Sequence, residues 1–277
     1  MNMAQLRFPM QLGSFLTLPV RHANLIWQLA KREIIGRYRG SMLGLAWSFF
    51  NPMLLLLIYT VFFTEALGMH EVTSGSSKTA FANSLFVGLI IHGFFAECAA
   101  RAPRLVTGHP SYVKKVVFPL EALPWVSVLS AVFHGFVSLL VLAGFMVLTG
   151  STVPVTFLLI PLILVPLVMV CLAVGWLFAA LGVYLRDVSQ MVGLLTTAMM
   201  FTAPVFFPVS RLEKSIFSYV VHANPLTFLI NQGREVALWG RLPDFRGLAL
   251  YTAVAVACSW VSYLWFQRAR RGFADVL

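Results

Sequence analysis

Charge is scarce in this chain, and acid is scarcest. Asp, Glu, Lys and Arg together make up 11% of its 277 residues, less than half the roughly 25% of soluble domains. Apolar residues make up 59%. One soluble core cannot bury that much apolar surface, so the shortage of charge excludes an ordinary water-soluble domain and points to lipid as the solvent. The length suits one membrane domain of about six helices with short loops, with no room for a large soluble unit.

Cysteine is nearly absent as well. Cys98, Cys171 and Cys258 stand singly in apolar stretches. That excludes a disulfide framework and cysteine-based metal spacing, and the three read as small packing residues. No G-x-x-x-x-G-K-[ST] loop occurs, so this chain does not hydrolyse nucleotide by the P-loop route. H-E-x-x-H is missing, the six histidines form no ligand cluster, and there is no G-x-S-x-G elbow. Neither a catalytic residue nor a metal ligand is expected.

Acids are missing where an ion-driven carrier needs them, near the bilayer midplane. Glu97 falls near one end of the second apolar stretch, one turn before Arg101, and Glu121 opens the third. A charge at the bilayer centre costs about 2.5–3.5 kcal/mol on insertion scales, and ion coupling through this chain alone is not expected. His92 and His134 do fall inside apolar stretches. Polar groups there are functional candidates, but each histidine can satisfy itself with one interhelical hydrogen bond. Residues 1–20 are interrupted by Arg7, Pro9, Gln11 and Pro19 and contain no long apolar run before a small-residue cleavage site, so no cleavable signal is expected.

What the chain does contain is six long apolar stretches, at 42–64, 82–102, 121–149, 155–183, 189–207 and 248–267. The expected fold is an all-α integral membrane protein. The net charge is +10. A basic balance can mean nucleic acid; in so apolar a chain the charges instead belong in cytoplasmic loops facing anionic headgroups, and no nucleic acid partner is expected. With the N-terminus in the cytoplasm, 14 of the 20 Lys and Arg fall on that side and 6 outside. The positive-inside rule then places both termini in the cytoplasm.

Residues 22–39 read as an amphipathic interfacial helix. Ala23, Ile26, Trp27, Ala30, Ile34 and Tyr38 share one stripe, while Asn24, Gln28, Lys31, Arg32 and Arg39 share the opposite face. Arg37 falls on the apolar edge one turn after Glu33. It either pairs with Glu33 at i,i+4 or points to where an anionic headgroup enters.

The loop 209–247 is too polar to span and too apolar for a solvated loop. Ser210 is placed to cap a short helix through Val221, His222-Ala-Asn224-Pro225 breaks it, and a second helical run over 226–239 ends at Gly240. Two short helices about a proline turn suggest a re-entrant hairpin, whose irregular backbone needs protein or a water-filled cavity around it. The alternative is a helix pair lying flat on the outer surface. Aromatics are plentiful, with 24 Phe, 7 Trp and 7 Tyr. Tyr59, Phe62 and Phe63 share a face in the outer half of the first stretch. Phe201, Phe206 and Phe207 lie toward the outer end of the fifth. Such rings can stack on sugars, or form the aromatic belt that membrane proteins have in any case.

The run Trp27-Gln-Leu-Ala-Lys-Arg32-Glu33-Ile-Ile-Gly-Arg37-Tyr38-Arg39-Gly40-Ser41-Met-Leu43-Gly44-Leu-Ala-Trp47, followed by Asn51-Pro52, joins an interfacial helix to a small-residue turn and then a span. It resembles the start of permease subunits of ABC-2 type polysaccharide exporters, especially those of the O-antigen lipopolysaccharide export family, with teichoic acid exporters as relatives. Tyr184-Leu-Arg186-Asp187-Val, and Asn224-Pro225 with Arg234, fit the same family. The likeness runs from about residue 22 to 268.

The resemblance implies a tail over 1–21, an ABC-2 type transmembrane domain over 22–268 and a cytoplasmic tail over 269–277, in the bacterial inner membrane. It implies a homodimer with two copies of a separate cytoplasmic ATPase, which holds the ATP and Mg, and an undecaprenyl diphosphate-linked polysaccharide as cargo. Lys31, Arg32, Arg37 and Arg39 would meet the diphosphate, although Lys31 and Arg32 serve equally as plain headgroup anchors to membrane lipids. Spans one and five would line the pore with Tyr59, Phe62, Phe63, Phe201, Phe206 and Phe207. Arg104, Tyr112, Lys114 and Lys115 would contact the ATPase, as would Arg186 and Asp187. Re-entrant helices would close the outer end. Competing expectations are an ABC-2 permease for teichoic acid, capsule, lipid or drug, and an integral-membrane transferase or scaffold.

Overall fold

The computed structural model describes residues 12–62, 78–113, 118–206 and 217–277. These are helical, with no strand among the described residues. Helix α1 (Leu12–Arg21) leads into α2 (Ala23–Tyr38), α3 (Trp47–Val61), α4 (Lys78–Arg101), the short α5 (Arg104–Thr107) and α6 (Pro110–Val113), then α7 (Leu123–Leu148), α8 (Ile160–Tyr184) and α9 (Val188–Thr202). The short α10 (Phe217–Ala223) and α11 (Pro225–Ala237) precede α12 (Phe245–Ala269) and a last turn, α13 (Phe273–Val276).

Among the described residues five helices are long and apolar enough to cross a membrane: Gly44–Val61, Lys78–Arg101, Leu120–Leu148, Val155–Tyr184 and Phe245–Val276. The stretch expected over 189–207 is a shorter apolar helix, Val188–Thr202. Its 15 residues rise roughly 22 Å against a hydrocarbon core of roughly 30 Å. The chain leaves the helix at Ala203, and Pro204 is buried in the turn that follows.

Interhelical packing is tightest between α8 and α12. Trp176 and Tyr263 meet edge-on with ring centroids 5.3 Å apart, and Phe15 of α1 closes the triangle at 5.4 Å from Trp176 and 5.8 Å from Tyr263. All three are almost wholly buried. Residues 12–21 are expected only as a tail, yet α1 is wedged into the core through Phe15 and Leu18. Trp176 donates its indole N–H to the Glu121 carbonyl at 3.1 Å, and Arg270 pairs with the Glu121 carboxylate. The ends of α8 and α12 are thereby tied to the start of α7.

Both histidines inside spans make interhelical contacts. His92 of α4 reaches the Thr196 carbonyl of α9 at 3.0 Å, and His134 of α7 joins a charged cluster described below. Cys98 and Cys171 are buried and Cys258 is exposed. Between α2 and α3 the chain turns at Gly40 (φ 86°) and Gly44 (φ 51°). These left-handed angles suit glycine because it lacks a Cβ, so α2 can turn directly into α3.

Candidate functional site

Helix α2 lies across the ends of α4 and α7. Ile26, Ala30 and Tyr38 are buried on one side of it, as the helical period requires. Trp27 and Ala23, expected on the same stripe, are exposed. At the C-terminal end of α2 the contact turns from apolar to charged. One oxygen of Glu97, Oε1, accepts from Arg37 Nη2 at 2.7 Å and stands 2.8 Å from Arg101 Nη2 and 3.0 Å from His134 Nδ1. Arg101 also pairs with Glu33 and donates to Ser130 Oγ at 3.2 Å. Tyr38 places its hydroxyl 3.1 Å from His134 Nε2.

Two carboxylates thus balance two guanidiniums across two helices, with His134 and Ser130 of a third beside them, and neither sign is left uncompensated in a partly desolvated place. The expected Glu33–Arg37 pair within α2 is replaced: Glu33 turns to Arg101 and Arg37 turns to Glu97. Interhelical partners win because they are held by two rigid helices, whereas an exposed i,i+4 pair is worth only about 0.3–0.5 kcal/mol. The Glu97 side chain is 16% exposed and that of Arg37 is 37% exposed. Both terminal nitrogens of Arg37 are engaged, Nη2 on Glu97 and Nη1 3.2 Å from His134 Nδ1, while the side chain keeps partial exposure.

The other expected diphosphate contacts lie apart. Lys31 and Arg39 are exposed. Arg32 faces the α5–α6 segment and donates to the Tyr112 hydroxyl at 2.7 Å, so a residue expected at the cargo is bonded to one expected at the ATPase.

Of the residues expected to face the ATPase, Arg104 and Arg186 line one open cleft of about 470 Å³, with Pro103, Thr107, Ser189 and Gln190. Two segments 80 residues apart in sequence are brought together by a close approach at Gly182. A Cβ there would lie 2.2 Å from the Pro103 carbonyl oxygen, so only glycine lets α5 rest against the end of α8. Asp187 is exposed at the start of α9. Tyr184 donates to the Ala269 carbonyl at 2.8 Å. Lys114 and Lys115 lie outside the described residues.

At the opposite end of the bundle the expected aromatics converge in part. Phe206 sits with its ring centroid 6.3 Å from Tyr59 and 5.9 Å from Phe201, joining α3 to the turn after α9. Phe62 is exposed, and Phe63 and Phe207 lie outside the described residues. Long faces of α3 (Met53, Leu57, Ile58) and α9 (Met191, Leu194, Leu195) are also exposed. Continuous apolar exposure of this kind is covered by lipid or by another protein surface.

Helix α11 packs deeply at this end, whereas α10 exposes Tyr219 and Val220 and buries Val221. Asn224 caps α11 by accepting from the Leu226 N–H at 2.9 Å and donates to the Met199 carbonyl at 2.9 Å. Gly233 lies against Val87 and Ile91, halfway along α4. Arg234 is buried and donates to the carbonyls of Ser84 at 3.0 Å and Val205 at 2.9 Å. Ser210 lies outside the described residues.

The chain runs from a charged N-terminal helix through a glycine turn into the first span and carries a short helical pair before the last span, and the profile of the ABC-2 type transporter family matches residues 24–238. The chain belongs to the ABC-2 type transporter family. Among its relatives is the O-antigen export system permease protein RfbA of Myxococcus xanthus, 28% identical over 256 residues, with 92% of this chain and 96% of the relative covered. Two proteins of that name from Klebsiella pneumoniae are 25% and 24% identical, each over 92% of this chain and 95% of the relative.

In this ABC-2 transporter chain, sequence reasoning located Glu97, Arg101 and His134 without seeing that they meet. The available signal was that all three are ionisable residues in or at the ends of apolar stretches, where such groups seek partners. Tyr38 and Ser130 gave no signal, because each reads as ordinary helix packing.

Proposed function

We propose that this chain is the channel-forming transmembrane subunit of an ATP-driven exporter that carries undecaprenyl diphosphate-linked O-antigen polysaccharide across the inner membrane. The observation that carries the reading is Arg37. It is held in place by Glu97 and His134, partly exposed to solvent, and located where a basic amphipathic helix meets the first span. A diphosphate offers several anionic oxygens to such a fork, while the lipid tail stays in the bilayer. The names of the relatives, over nearly the full length of both chains, favour an O-antigen cargo.

In this reading two copies form a homodimer, and the exposed apolar faces of α3 and α9 meet each other and the pore. α9 counts as a sixth crossing, completed by the turn that contains Pro204, and both termini are cytoplasmic. Tyr59, Phe201 and Phe206 supply sugar-stacking surfaces at the outer end, and α10–α11 form a re-entrant hairpin packed against α4. Two copies of a separate ATPase, with its ATP and Mg, dock at the cleft lined by Arg104 and Arg186. The chemical work is done there, and this chain converts it into opening.

The test is the double substitution Arg37→Ala with Arg39→Ala. Surface O-antigen should fall at least about tenfold, the scale of one lost charge-assisted contact, while the protein still inserts in the membrane. Unchanged surface polysaccharide would remove the diphosphate role. A second cargo class is distinguished by length dependence: a small-molecule exporter shows no sensitivity to glycan length when the aromatics change.

A further inference from the structure

We propose that the segment 273–277 is one wall of the surface on which the ATPase docks, that Tyr184 positions it there, and that the cleft it borders receives an acidic segment of the ATPase. This rests on the reading above, that the ATPase docks at the cleft lined by Arg104 and Arg186.

That cleft is bordered from three directions: α5 supplies Arg104 and Thr107, the corner between α8 and α9 supplies Arg186 and Ser189, and Val276 and Leu277 supply the third side. Residues 269–277 are expected from the sequence only as a tail. In the fold they turn back onto the bundle. Phe273 is almost wholly buried, its ring edge-on to Phe266 with centroids 5.6 Å apart. The Leu277 N–H donates to the Phe273 carbonyl at 3.1 Å, which closes the turn.

Tyr184 holds this turn in three ways. Its ring centroid lies 6.0 Å from that of Phe273, and its hydroxyl donates to the Ala269 carbonyl at 2.8 Å. Gly272 passes so close that a Cβ there would stand 2.7 Å from the same hydroxyl oxygen. Tyr184 precedes Arg186 by one residue. One short segment therefore contributes a cation to the cleft and fixes the wall that faces it.

Charge identifies what the cleft takes. Its lining side chains include Arg104 and Arg186 and no acid. Both arginines are exposed, and neither pairs with a carboxylate among the described residues. Opposite charge on the partner is what steers an encounter and fixes its register. Val276, 52% exposed, sets an apolar edge beside the cations, and its position makes the sign of any charge placed there decisive.

The experiment places the permease in nanodiscs and measures the Kd of the ATPase subunit that co-purifies with it, by biolayer interferometry. At about 50 mM salt Val276→Glu should raise Kd at least about fivefold, because the new carboxylate competes for the arginines and repels an acidic partner. Val276→Lys should bind at least as tightly as wild type, and the gap between the two should narrow at about 500 mM salt. Tyr184→Phe keeps the ring against Phe273 and loses one hydrogen bond, so Kd should rise about threefold. An unchanged Kd with a lower melting temperature would make Tyr184 structural only and overturn its positioning role. Equal weakening by Glu and Lys at position 276 overturns the acidic partner. If Arg104→Ala with Arg186→Ala weakens binding while both Val276 variants behave as wild type, the wall is wrong and the docking cleft stands. No change in any variant overturns the cleft and this inference together.

Discussion

Arg37 and Glu97 are 60 residues apart in the chain and 2.7 Å apart in the fold. This contact decides what kind of element α2 is. A basic amphipathic helix alone would float on headgroups, held by its apolar stripe and by charge. Here it is clamped to the end of α4 by an ion pair that Arg101 and His134 also reinforce. Any motion of α2 in transport has to carry α4 with it or break that pair.

Glu97→Gln removes the carboxylate on which Arg37, Arg101 and His134 converge. Arg101 keeps Glu33 and Arg37 keeps partial exposure, so losing these charge-assisted bonds from a largely buried carboxylate costs about 1–3 kcal/mol, and the melting temperature of the purified protein should drop. Arg37→Ala, at a more exposed position, should cost less than about 1 kcal/mol. Equal thermal shifts for the two variants would mean that the cluster does not bear on stability.

Gly182→Ala puts a methyl group where the Pro103 carbonyl lies. Overpacking of this kind costs about 1–3 kcal/mol, and relief requires α5 to move off the end of α8. The protein should still reach the membrane, with reduced recovery of the ATPase on co-purification. Undiminished recovery would argue that the Arg104–Arg186 cleft is not where the ATPase sits.

Replacing Tyr59 or Phe201 with Leu keeps apolar volume and removes the flat face on which a sugar stacks. Gel profiles of surface polysaccharide should lose long chains before short ones. A uniform loss at all lengths would point to packing around Phe206 rather than to glycan contact.

Arg234→Met leaves the carbonyls of Ser84 and Val205 without their donor and unties α11 from α4. The expected cost is about 3 kcal/mol, visible as a lower melting temperature. Arg234→Lys should recover only part of it, since a single ammonium lacks the fork that reaches both carbonyls.

Single cysteines at Arg271 and at Leu242, in a background with the three native cysteines replaced, test the number of crossings. An impermeant thiol reagent added from the periplasm should label position 242 and spare position 271. Labelling at 271 would require an odd number of spans.

Much of the fold was legible because its signals are local. Apolar runs marked each long helix to within a few residues, since a span must satisfy its own backbone and present apolar side chains to lipid. The break at Asn224-Pro225 marked the join of α10 and α11, because Asn caps and Pro starts a helix. Helix α1 was hidden: its ten residues carry a proline, and only burial against Trp176 and Tyr263 makes Phe15 a core residue. The length of the fifth apolar run was also misleading, because a run of apolar letters continues through Pro204 while the helix does not.

By itself the sequence determined that this is a helical membrane protein with a basic helix ahead of its first span and glycines at the turn between them. Hydropathy, helical period and backbone freedom are properties of neighbouring residues. Only the tertiary structure decided that Glu33 belongs to Arg101, that Arg37 belongs to Glu97 and that Arg32 belongs to Tyr112. A charge takes the nearest partner that rigid packing can hold, and which helix brings that partner is not written in the spacing of either one.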